Sequence, residues 1–421
     1  MVLVTAPSGR PVMDPSRLSE RRRRALSERV LLRPMTSEYK EQALQRFDSV
    51  ESELRQISRW MFDHPELGYQ EFESSRRLVD FLRSRGFEVE YPAYGMETAF
   101  AARTGTTGPE VVICAEYDAL PEIGHACGHN LIATAAVGAG HVLSGFAGEL
   151  GIKVTVLGTP AEEQLGGKID LIEAGAFSGA AAALMVHPAT KDVLDPRALA
   201  VVHLDLEYHG KAAHAAATPQ VGINALDAFV QAYVNVATLR QHFYPTDKVH
   251  CIITRGGTAP NIIPDYTRSS WYIRAATMER LDQLSGKVSA CFEAAATATG
   301  CTWDTRQLGQ PYAELISHPL LSELFDENAR ALGRQMMRGS DLPPGEAGST
   351  DMGNVSQVVP SLHPMLDIHS LPAVNHQAEF AAHTITPAGE QAIRDGALGM
   401  AWTVIDLAEQ DLWDGLRPGT S

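Results

Sequence analysis

The sequence predicts an α/β protein in which a mostly parallel sheet, flanked by helices, carries a smaller inserted α+β domain. Apolar, strand-like runs at 111–115, 152–158 and 182–188 alternate with helix-like segments, which is the order that βαβ units produce. The run at 111–115 is continuously apolar, as is typical of a strand covered on both faces of a sheet. After about residue 200 the predicted order becomes β-α-β-β-α-β, that of a ferredoxin-like sandwich.

The individual elements follow from apolar spacing and from residues that end helices. Apolar positions recur at helical spacing over 39–64 and predict one amphipathic helix, which ends where Pro65 bars its neighbour from helical geometry. The other predicted helices cover 71–85, 131–147, 168–174, 224–243, 278–299 and 387–409. The other predicted strands cover 87–91, 98–103, 200–210, 250–254, 266–275 and 302–308.

These elements divide the chain of 421 residues, which is long for a single core, into two domains. We predict the first domain over 39–199 and 311–421, the inserted domain over 200–310, and a disordered N-terminal extension over 1–38. The extension has four consecutive arginines but no apolar stretch suited to a signal peptide, so a cytoplasmic protein is expected.

The composition excludes several classes of partner. The net charge of −16, from 35 basic and 51 acidic side chains, argues against a nucleic-acid partner, because phosphate binding requires a basic face. No apolar run approaches the roughly 20 residues of a membrane helix, so no membrane partner is expected. The 5 cysteines have no regular spacing, which indicates a reducing compartment rather than a disulfide framework.

The loop after the first apolar strand is dense in side chains that bind metals. Cys127 and His129 lie two residues apart in an extended loop, so both side chains can point the same way. A thiolate with an imidazole suits zinc, and manganese or nickel can substitute. The pair alone also fits a buried cysteine beside a hydrogen-bonded histidine, but the nearby Glu116, Asp118 and His125 favour a metal.

Further polar residues follow the next two predicted strands and a distant C-terminal motif. Glu162 and Glu163 fit either a solvated loop or a site in which one carboxylate binds metal and the other is the general base. His187 fits either a surface histidine or a ligand. His376 is a later candidate ligand, with His383 as its competitor.

Taken together, these motifs resemble the dinuclear metallopeptidases and amidohydrolases that include aminoacylases and carboxypeptidase G. They are most similar to the branch with cysteine in the metal loop, which holds indole-acetyl-amino-acid hydrolases, p-aminobenzoyl-glutamate hydrolase and β-alanyl-dipeptidase-like proteins. The similarity runs from about Arg46 to Asp406. The motifs that carry it are 64–67, 118–121, 125–129, 158–163, 210–215, 256–265 and 348–353.

The resemblance implies a centre of two divalent metal ions, zinc or manganese, with nickel or cobalt possible. It implies Glu162 as general base and Asp118 as the group that orients a ligand histidine. His125 is not among the implied ligands and would have a structural or supporting role. The implied ligands are Cys127, His129, Glu163, His187 and His376.

The resemblance also implies a homodimer joined through the inserted domain, which acts as lid and dimerisation domain. His214 of the partner subunit would stabilise the tetrahedral oxyanion, and Asn261 and Arg274 would hold the substrate carboxylate. Two departures stand out: Asn130 replaces the aspartate common in the hormone-conjugate branch, and Gln377-Ala378 replaces the usual Thr-Pro.

The implied activity is hydrolysis of an amide bond in N-acyl amino acids, p-aminobenzoyl-glutamate-like conjugates or small dipeptides. One alternative is hydrolysis of an N-carbamoyl or ureido C–N bond, and another is a catalytically silent subunit of a hetero-oligomeric hydrolase. A nucleophilic hydrolase using Cys127 and His129 is disfavoured, because two-residue spacing is poor for a nucleophile–base hydrogen bond.

Overall fold

The computed structural model describes residues 37–163, 165–343 and 347–416. The predicted N-terminal extension lies almost entirely outside these ranges. The helices are α1 Glu38–Asp48, α2 Glu51–Asp63, α3 Phe72–Ser84, α4 His129–Ser144, α5 Ala147–Leu150, α6 Gly167–Glu173, α7 Ala225–Leu239, α8 Met278–Thr299, α9 Pro319–Ala331, α10 Met352–Val358, α11 Ala378–His383 and α12 Pro387–Glu409. The strands are β1 Glu88–Glu90, β2 Phe100–Thr104, β3 Glu110–Ala115, β4 Lys153–Gly158, β5 Ala180–Leu184, β6 His187–Ala189, β7 Ala200–His209, β8 Lys248–Arg255, β9 Tyr266–Ala275, β10 Thr302–Gln307, β11 Ser361–Leu362 and β12 Met365–Asp367.

The larger sheet has the order β1-β2-β4-β3-β5-β11. The pairs β4/β3, β3/β5 and β5/β11 are parallel, whereas β1/β2 and β2/β4 are antiparallel. The parallel strands are the apolar ones, since βαβ connections cover both faces of a sheet with helices. The predicted fold class, a mostly parallel sheet flanked by helices, is confirmed.

The inserted segment forms a separate antiparallel sheet in the order β10-β7-β9-β8. This order, with α7 and α8 packed on one face, is that of a ferredoxin-like sandwich. The segment has its own apolar core, which includes Tyr208, Trp271 and Phe292. The predicted α+β insertion is therefore also confirmed.

Helix α4 lies at the centre of the first domain and explains the small-residue segment that follows the metal-binding loop. Residues 129–143 are all buried, as expected of a helix that is apolar on every side. A Cβ added at Gly140 would lie 2.3 Å from Val156 Cγ2, so the glycine lets α4 approach β4 closely. The C-terminal part of α4 therefore packs directly against the sheet.

Two predicted elements are interrupted. The single helix predicted over 39–64 is wrong, because the chain leaves helical geometry at Val50, with φ −123° and ψ −6°, and a second helix begins at Glu51. The strand predicted to end in His187 stops at Leu184. His187 instead begins the short strand β6, which pairs with β12. Over the described residues, every helix is too short or too polar to cross a membrane.

Candidate metal centre

The predicted metal-binding side chains meet at one edge of the larger sheet. Cys127 and His129 follow β3, Glu163 follows β4, and His187 follows β5, so three segments reach the carboxyl ends of adjacent parallel strands. His376 comes from the loop before α11, and its backbone N–H donates to the Ala126 carbonyl at 2.8 Å. That hydrogen bond ties the C-terminal segment to the cysteine loop.

One glycine lets the two histidine-bearing segments approach each other. Gly128, between Cys127 and His129, has a φ of 83°, a left-handed conformation that favours glycine. A Cβ at this position would lie 2.3 Å from Pro188 Cγ, which is next to His187. A larger residue here would push the two segments apart.

The donor atoms of these side chains are close to one another. Cys127 Sγ lies 3.4 Å from His187 Nε2, and His376 Nε2 lies 3.5 Å from Glu163 Oε1. His129 Nε2 lies 3.9 Å from Glu163 Oε1. Three sets that include predicted ligands have donor atoms within 4.8 Å of one another: Cys127 with His129 and His187, Cys127 with Glu163 and His376, and His129 with Glu162 and Glu163.

Asp118 connects two of these segments. Its Oδ1 lies 3.0 Å from His129 Nδ1, and its Oδ2 accepts from the Glu163 backbone N–H at 2.9 Å. Burial favours the neutral form of Asp118, but His129 outweighs it and lowers the pKa of the carboxyl overall. An ionised Asp118 fixes the Nδ1–H tautomer of His129 and leaves the Nε2 lone pair facing the centre.

The electrostatics of the site fit bound cations. Burial, followed by the Glu163 carboxylate, raises the pKa of the Cys127 thiol. Burial, followed by the carboxylates of Glu116 and Glu163, raises the pKa of Glu162. Among the described residues, His129 Nε2 and Glu163 Oε1 are buried without a hydrogen-bond partner. A divalent ion would stabilise the charged ligands and satisfy these atoms, so the residues fit a metal centre.

A buried ion-pair cluster lies beside Glu162, and the sequence did not predict it. Lys168 is completely buried, and its Nζ lies 2.5 Å from Glu116 Oε1 and 2.7 Å from Asp351 Oδ1. Burial lowers the pKa of Lys168, but the carboxylates of Asp351 and Glu116 raise it overall, so the ammonium stays charged. Asp351 lies in one of the motifs that carry the family resemblance. Asp351 pairs with a lysine 183 positions away, a contact that only the folded chain brings about.

A cavity lies between the two domains and contains the predicted base. Glu162 and Glu163 form its wall on the first domain, and His203, Tyr272 and Arg274 form its wall on the inserted domain. Arg274 Nη1 donates to Ser349 Oγ at 2.6 Å. The structure therefore brings Arg274, predicted for substrate binding, to the same cavity as Glu162.

His214 and Asn261 lie elsewhere within a single chain. Both are exposed on the inserted domain, and the Ala215 N–H donates to the Asn261 carbonyl at 2.9 Å. His214 Nδ1 accepts from the backbone N–H groups of Ala216 and Ala217. Neither residue lines the cavity that the described residues form around Glu162.

Three other polar residues near the centre have different surroundings. Asn130 is buried, and its Nδ2 donates to Ser58 Oγ at 3.0 Å and to Thr384 Oγ1 at 3.2 Å, which anchors α4. His125 is also buried, and burial lowers its pKa to about 3. Neither His125 nor His383 belongs to the close donor sets formed within the described ranges.

The relatives of this chain are named as peptidases and amide-bond hydrolases. Residues 199–299 match the family model described as a peptidase dimerisation domain. The chain is 40% identical to a mouse (Mus musculus) Xaa-Arg dipeptidase over 398 residues, which cover 90% of this chain and 91% of the relative. It is 32% identical to a p-aminobenzoyl-glutamate hydrolase subunit of Escherichia coli strain K12, covering 62% of this chain and 59% of that protein.

A solved structure shares the fold. A dinuclear metal-binding peptidase of the M20 family from Bacillus subtilis superposes with a TM-score of 0.66 at 20% identity, covering 86% of this chain and 99% of the other. The chain belongs to the M20 family of metallopeptidases, and it is an enzyme that hydrolyses amide bonds. The resemblance predicted from the motifs is confirmed.

Proposed function

We propose that the protein is a dinuclear metal-dependent dipeptidase or N-acyl-amino-acid hydrolase, cleaving an amide bond next to a free carboxylate. The observation that supports this proposal most strongly is that one cavity contains both a cluster of candidate metal ligands and a cation that can bind a carboxylate. The buried cluster around Glu162 and Glu163 faces Arg274, a half-buried cation of the inserted domain. The names of the dipeptidase and p-aminobenzoyl-glutamate hydrolase relatives support the same substrate class.

We assign the metal ligands to the five residues whose donor atoms converge. Thiolate, imidazole and carboxylate donors suit zinc, and manganese is the second choice. When bound, the ions act as Lewis acids that polarise the scissile carbonyl and acidify water. The assigned ligands are Cys127, His129, Glu163, His187 and His376.

Glu162 is assigned as the general base. The residue is 7% exposed, and its backbone carbonyl accepts from the Tyr312 hydroxyl at 2.6 Å, which holds the residue in place. Glu162 takes a proton from the attacking water and delivers it to the leaving amine. Asp118 holds His129 in one tautomer, and its bond to the Glu163 N–H fixes the loop that carries the base.

Arg274 is assigned to the substrate carboxylate. Its hydrogen bond to Ser349 fixes the guanidinium in the cavity wall, so little side-chain freedom is lost when a substrate binds. A carboxylate is a good partner for this group, because a guanidinium pairs with it in a bidentate manner. The free end of a dipeptide or acyl amino acid would therefore be held opposite the base.

We propose that a homodimer completes the site through residues 200–310. Strand β8 is an edge strand, and edge strands with exposed apolar residues tend to pair with another chain. Ile252 is 66% exposed on this strand, and Val234 on α7 is 52% exposed. Pairing of two inserted domains would cover these residues and carry His214 and Asn261 of the partner subunit toward the cavity.

A reducing compartment such as the cytoplasm is proposed as the site of action. All five cysteines are free thiols: Cys114, Cys127, Cys251, Cys291 and Cys301. Cys127 must remain reduced to act as a ligand, because the thiolate of a reduced cysteine is the form that binds a metal.

The experiment is a hydrolysis panel run on protein loaded with zinc or manganese. The panel contains dipeptides, N-acetyl amino acids, p-aminobenzoyl-glutamate and N-carbamoyl amino acids, each with a matched C-terminal amide. We expect turnover of one or more free-carboxylate substrates, loss of turnover after chelation, and at least a tenfold lower kcat/KM for the matched amide, about 1.4 kcal/mol.

Arg274→Ala is the matched variant for this panel. It should lower kcat/KM for the free acid but leave the amide nearly unchanged, because only the acid pairs with the guanidinium. Bound metal without turnover of any substrate would contradict the proposal. Turnover confined to N-carbamoyl amino acids would assign the protein to the carbamoyl alternative.

A further inference from the structure

Glu116 has one side-chain oxygen engaged and one free, although the residue is completely buried. Oε1 is bonded to Lys168, whereas Oε2 has no hydrogen-bond partner among the described residues. Oε2 lies 3.5 Å from His129 Nε2, which also has no partner in that part of the chain. Two buried, unpartnered polar atoms therefore face each other at the centre.

The contact is not an ordinary histidine–carboxylate hydrogen bond. Asp118 already takes the Nδ1 hydrogen of His129, so in the neutral ring Nε2 is an acceptor. Two acceptors facing each other repel unless a proton or a metal ion lies between them, and at 3.5 Å these atoms are further apart than a shared proton would hold them. Two donors about 2.1 Å from a tetrahedral zinc ion would be about 3.4 Å apart, close to the observed 3.5 Å. The same spacing joins Cys127 to His187.

Lys168 and Asp351 determine where the free oxygen points. Asp351 holds Lys168 twice, since Oδ1 accepts from Nζ at 2.7 Å and Oδ2 accepts from the backbone N–H at 2.9 Å. The ammonium in turn holds Glu116 Oε1 at 2.5 Å. Asp351 thus fixes Lys168, and Lys168 fixes Oε1 of Glu116. Because Glu116 is fully buried, its carboxylate cannot turn Oε2 away from His129 without breaking the charged hydrogen bond to Lys168.

We propose that Glu116 supplies a further oxygen donor to the metal centre through Oε2, and that Lys168, held by Asp351, is the positioning residue that aims it. The inference rests on the proposed function, because it takes His129 as a ligand. It extends the ligand set with a residue from the strand–loop junction before Asp118. Lys168 acts through Glu116 and does not contact the reacting atoms.

The test is metal binding by Glu116→Gln, with Glu71→Gln as its matched control. Glu71 is equally buried, but both of its oxygens are satisfied, by the Ala161 N–H at 2.8 Å and the Thr98 hydroxyl at 3.0 Å. Glutamine can keep both of those contacts. In Glu116→Gln, by contrast, the new NH₂ group would donate to His129 Nε2 and compete with the ion.

Full-length metal-free proteins are titrated with zinc and with cobalt(II). We expect Glu116→Gln to bind zinc about 10–100-fold more weakly and to alter the visible absorption of the cobalt protein, which depends on the donors present. Glu71→Gln should match wild type in both. Wild-type affinity and spectrum in Glu116→Gln would overturn the inference but leave the proposed function intact. A wild-type protein that binds no metal would instead overturn the proposed function.

Two further variants keep the inference testable if the first one folds poorly. Glu116→Asp retains the charge but withdraws the oxygens by one methylene, so a purely electrostatic role predicts wild-type affinity and a donor role predicts a loss. Lys168→Met removes a positive charge, which by Coulomb attraction alone would raise metal affinity. We expect it to fall, because Glu116 is released; unchanged or raised affinity would overturn the role of Lys168. The melting temperature of each metal-free variant identifies misfolding.

Discussion

The two groups of predicted active-site residues differ in how far a single chain assembles them. The cluster around Glu162 is mostly buried, and its donor atoms lie within 4.8 Å of one another in overlapping sets of three residues. His214 and Asn261 on the inserted domain are exposed and make local backbone contacts. On the proposed function, metal binding needs one chain, whereas stabilisation of the transition state needs two.

There is a physical reason for this division. Burying several carboxylates is costly unless a cation neutralises them, so a metal centre must be shaped accurately and held rigidly. A group that stabilises an oxyanion must leave room for substrates to enter, so it can arrive from a mobile or separate element. The following predictions test the division, from the largest expected effect to the smallest.

The largest effect is expected inside the cluster. Glu162→Gln should lower kcat by about 10²–10⁴-fold, because it removes the proton acceptor and leaves the ligands in place. Metal content by elemental analysis should stay at the wild-type value. Glu163→Gln is the adjacent control, and it should lose metal as well as activity. Loss of metal in both variants would make Glu162 a ligand instead of the base.

The second prediction concerns His214 of the partner subunit. His214→Ala should lower kcat by about 10²–10³-fold, the range for loss of one oxyanion donor. Metal content and melting temperature should not change, because the side chain is exposed. After subunit exchange, a mixture of His214→Ala and Glu162→Gln proteins should regain about a quarter of wild-type activity, since half the dimers would carry one intact site. No recovery would place His214 in its own chain's site.

The third prediction tests the edge strand. Ile252→Glu places a charge on the exposed edge of β8, so it should shift the protein from dimer to monomer and lower kcat/KM about tenfold or more. Light scattering coupled to size-exclusion chromatography measures the mass. Val358→Glu is the control, because Val358 is 56% exposed on α10 of the first domain. An equal effect of the two changes would rule out a specific edge contact.

The smallest effect is expected in the inserted domain, away from the cavity. Burial favours the neutral form of Asp205, but Ser270 and Arg268 outweigh it and lower its pKa. A lowered pKa gives stability above the unfolded value of about 3.9, and this stability is lost as the pH falls through the folded pKa.

Asp205→Asn should therefore reduce the free energy of unfolding by about 1 kcal/mol at pH 7, and the difference from wild type should shrink below about pH 4. Denaturant unfolding of both proteins at several pH values measures this difference in free energy. The zinc affinity of the variant should equal that of the wild type. A difference that stays constant down to pH 3 would mean that shape, not charge, explains the effect of the substitution.

Much of the fold was predictable, because it follows from the spacing of apolar residues within each element and from the order of the elements along the chain. The apolar run at 111–115 predicted the mostly parallel sheet, and the β-α-β-β-α-β order predicted the sheet of the inserted domain. Both sheets are observed. The helix break at Val50 was not predictable, because the apolar spacing continues through it and Val50 is itself one of the apolar positions.

The sequence by itself determined the chemical types at the centre: a thiol, imidazoles and carboxylates placed after apolar strands, because parallel strands bring their carboxyl ends together. It did not reveal that Lys168 joins Glu116 to Asp351, or that Arg274 faces Glu162 across the domains. Those relations span up to 183 positions, and only packing of the folded chain sets such distances. The tertiary structure also showed that the cluster is assembled within one chain, whereas His214 of the same chain is exposed on the inserted domain.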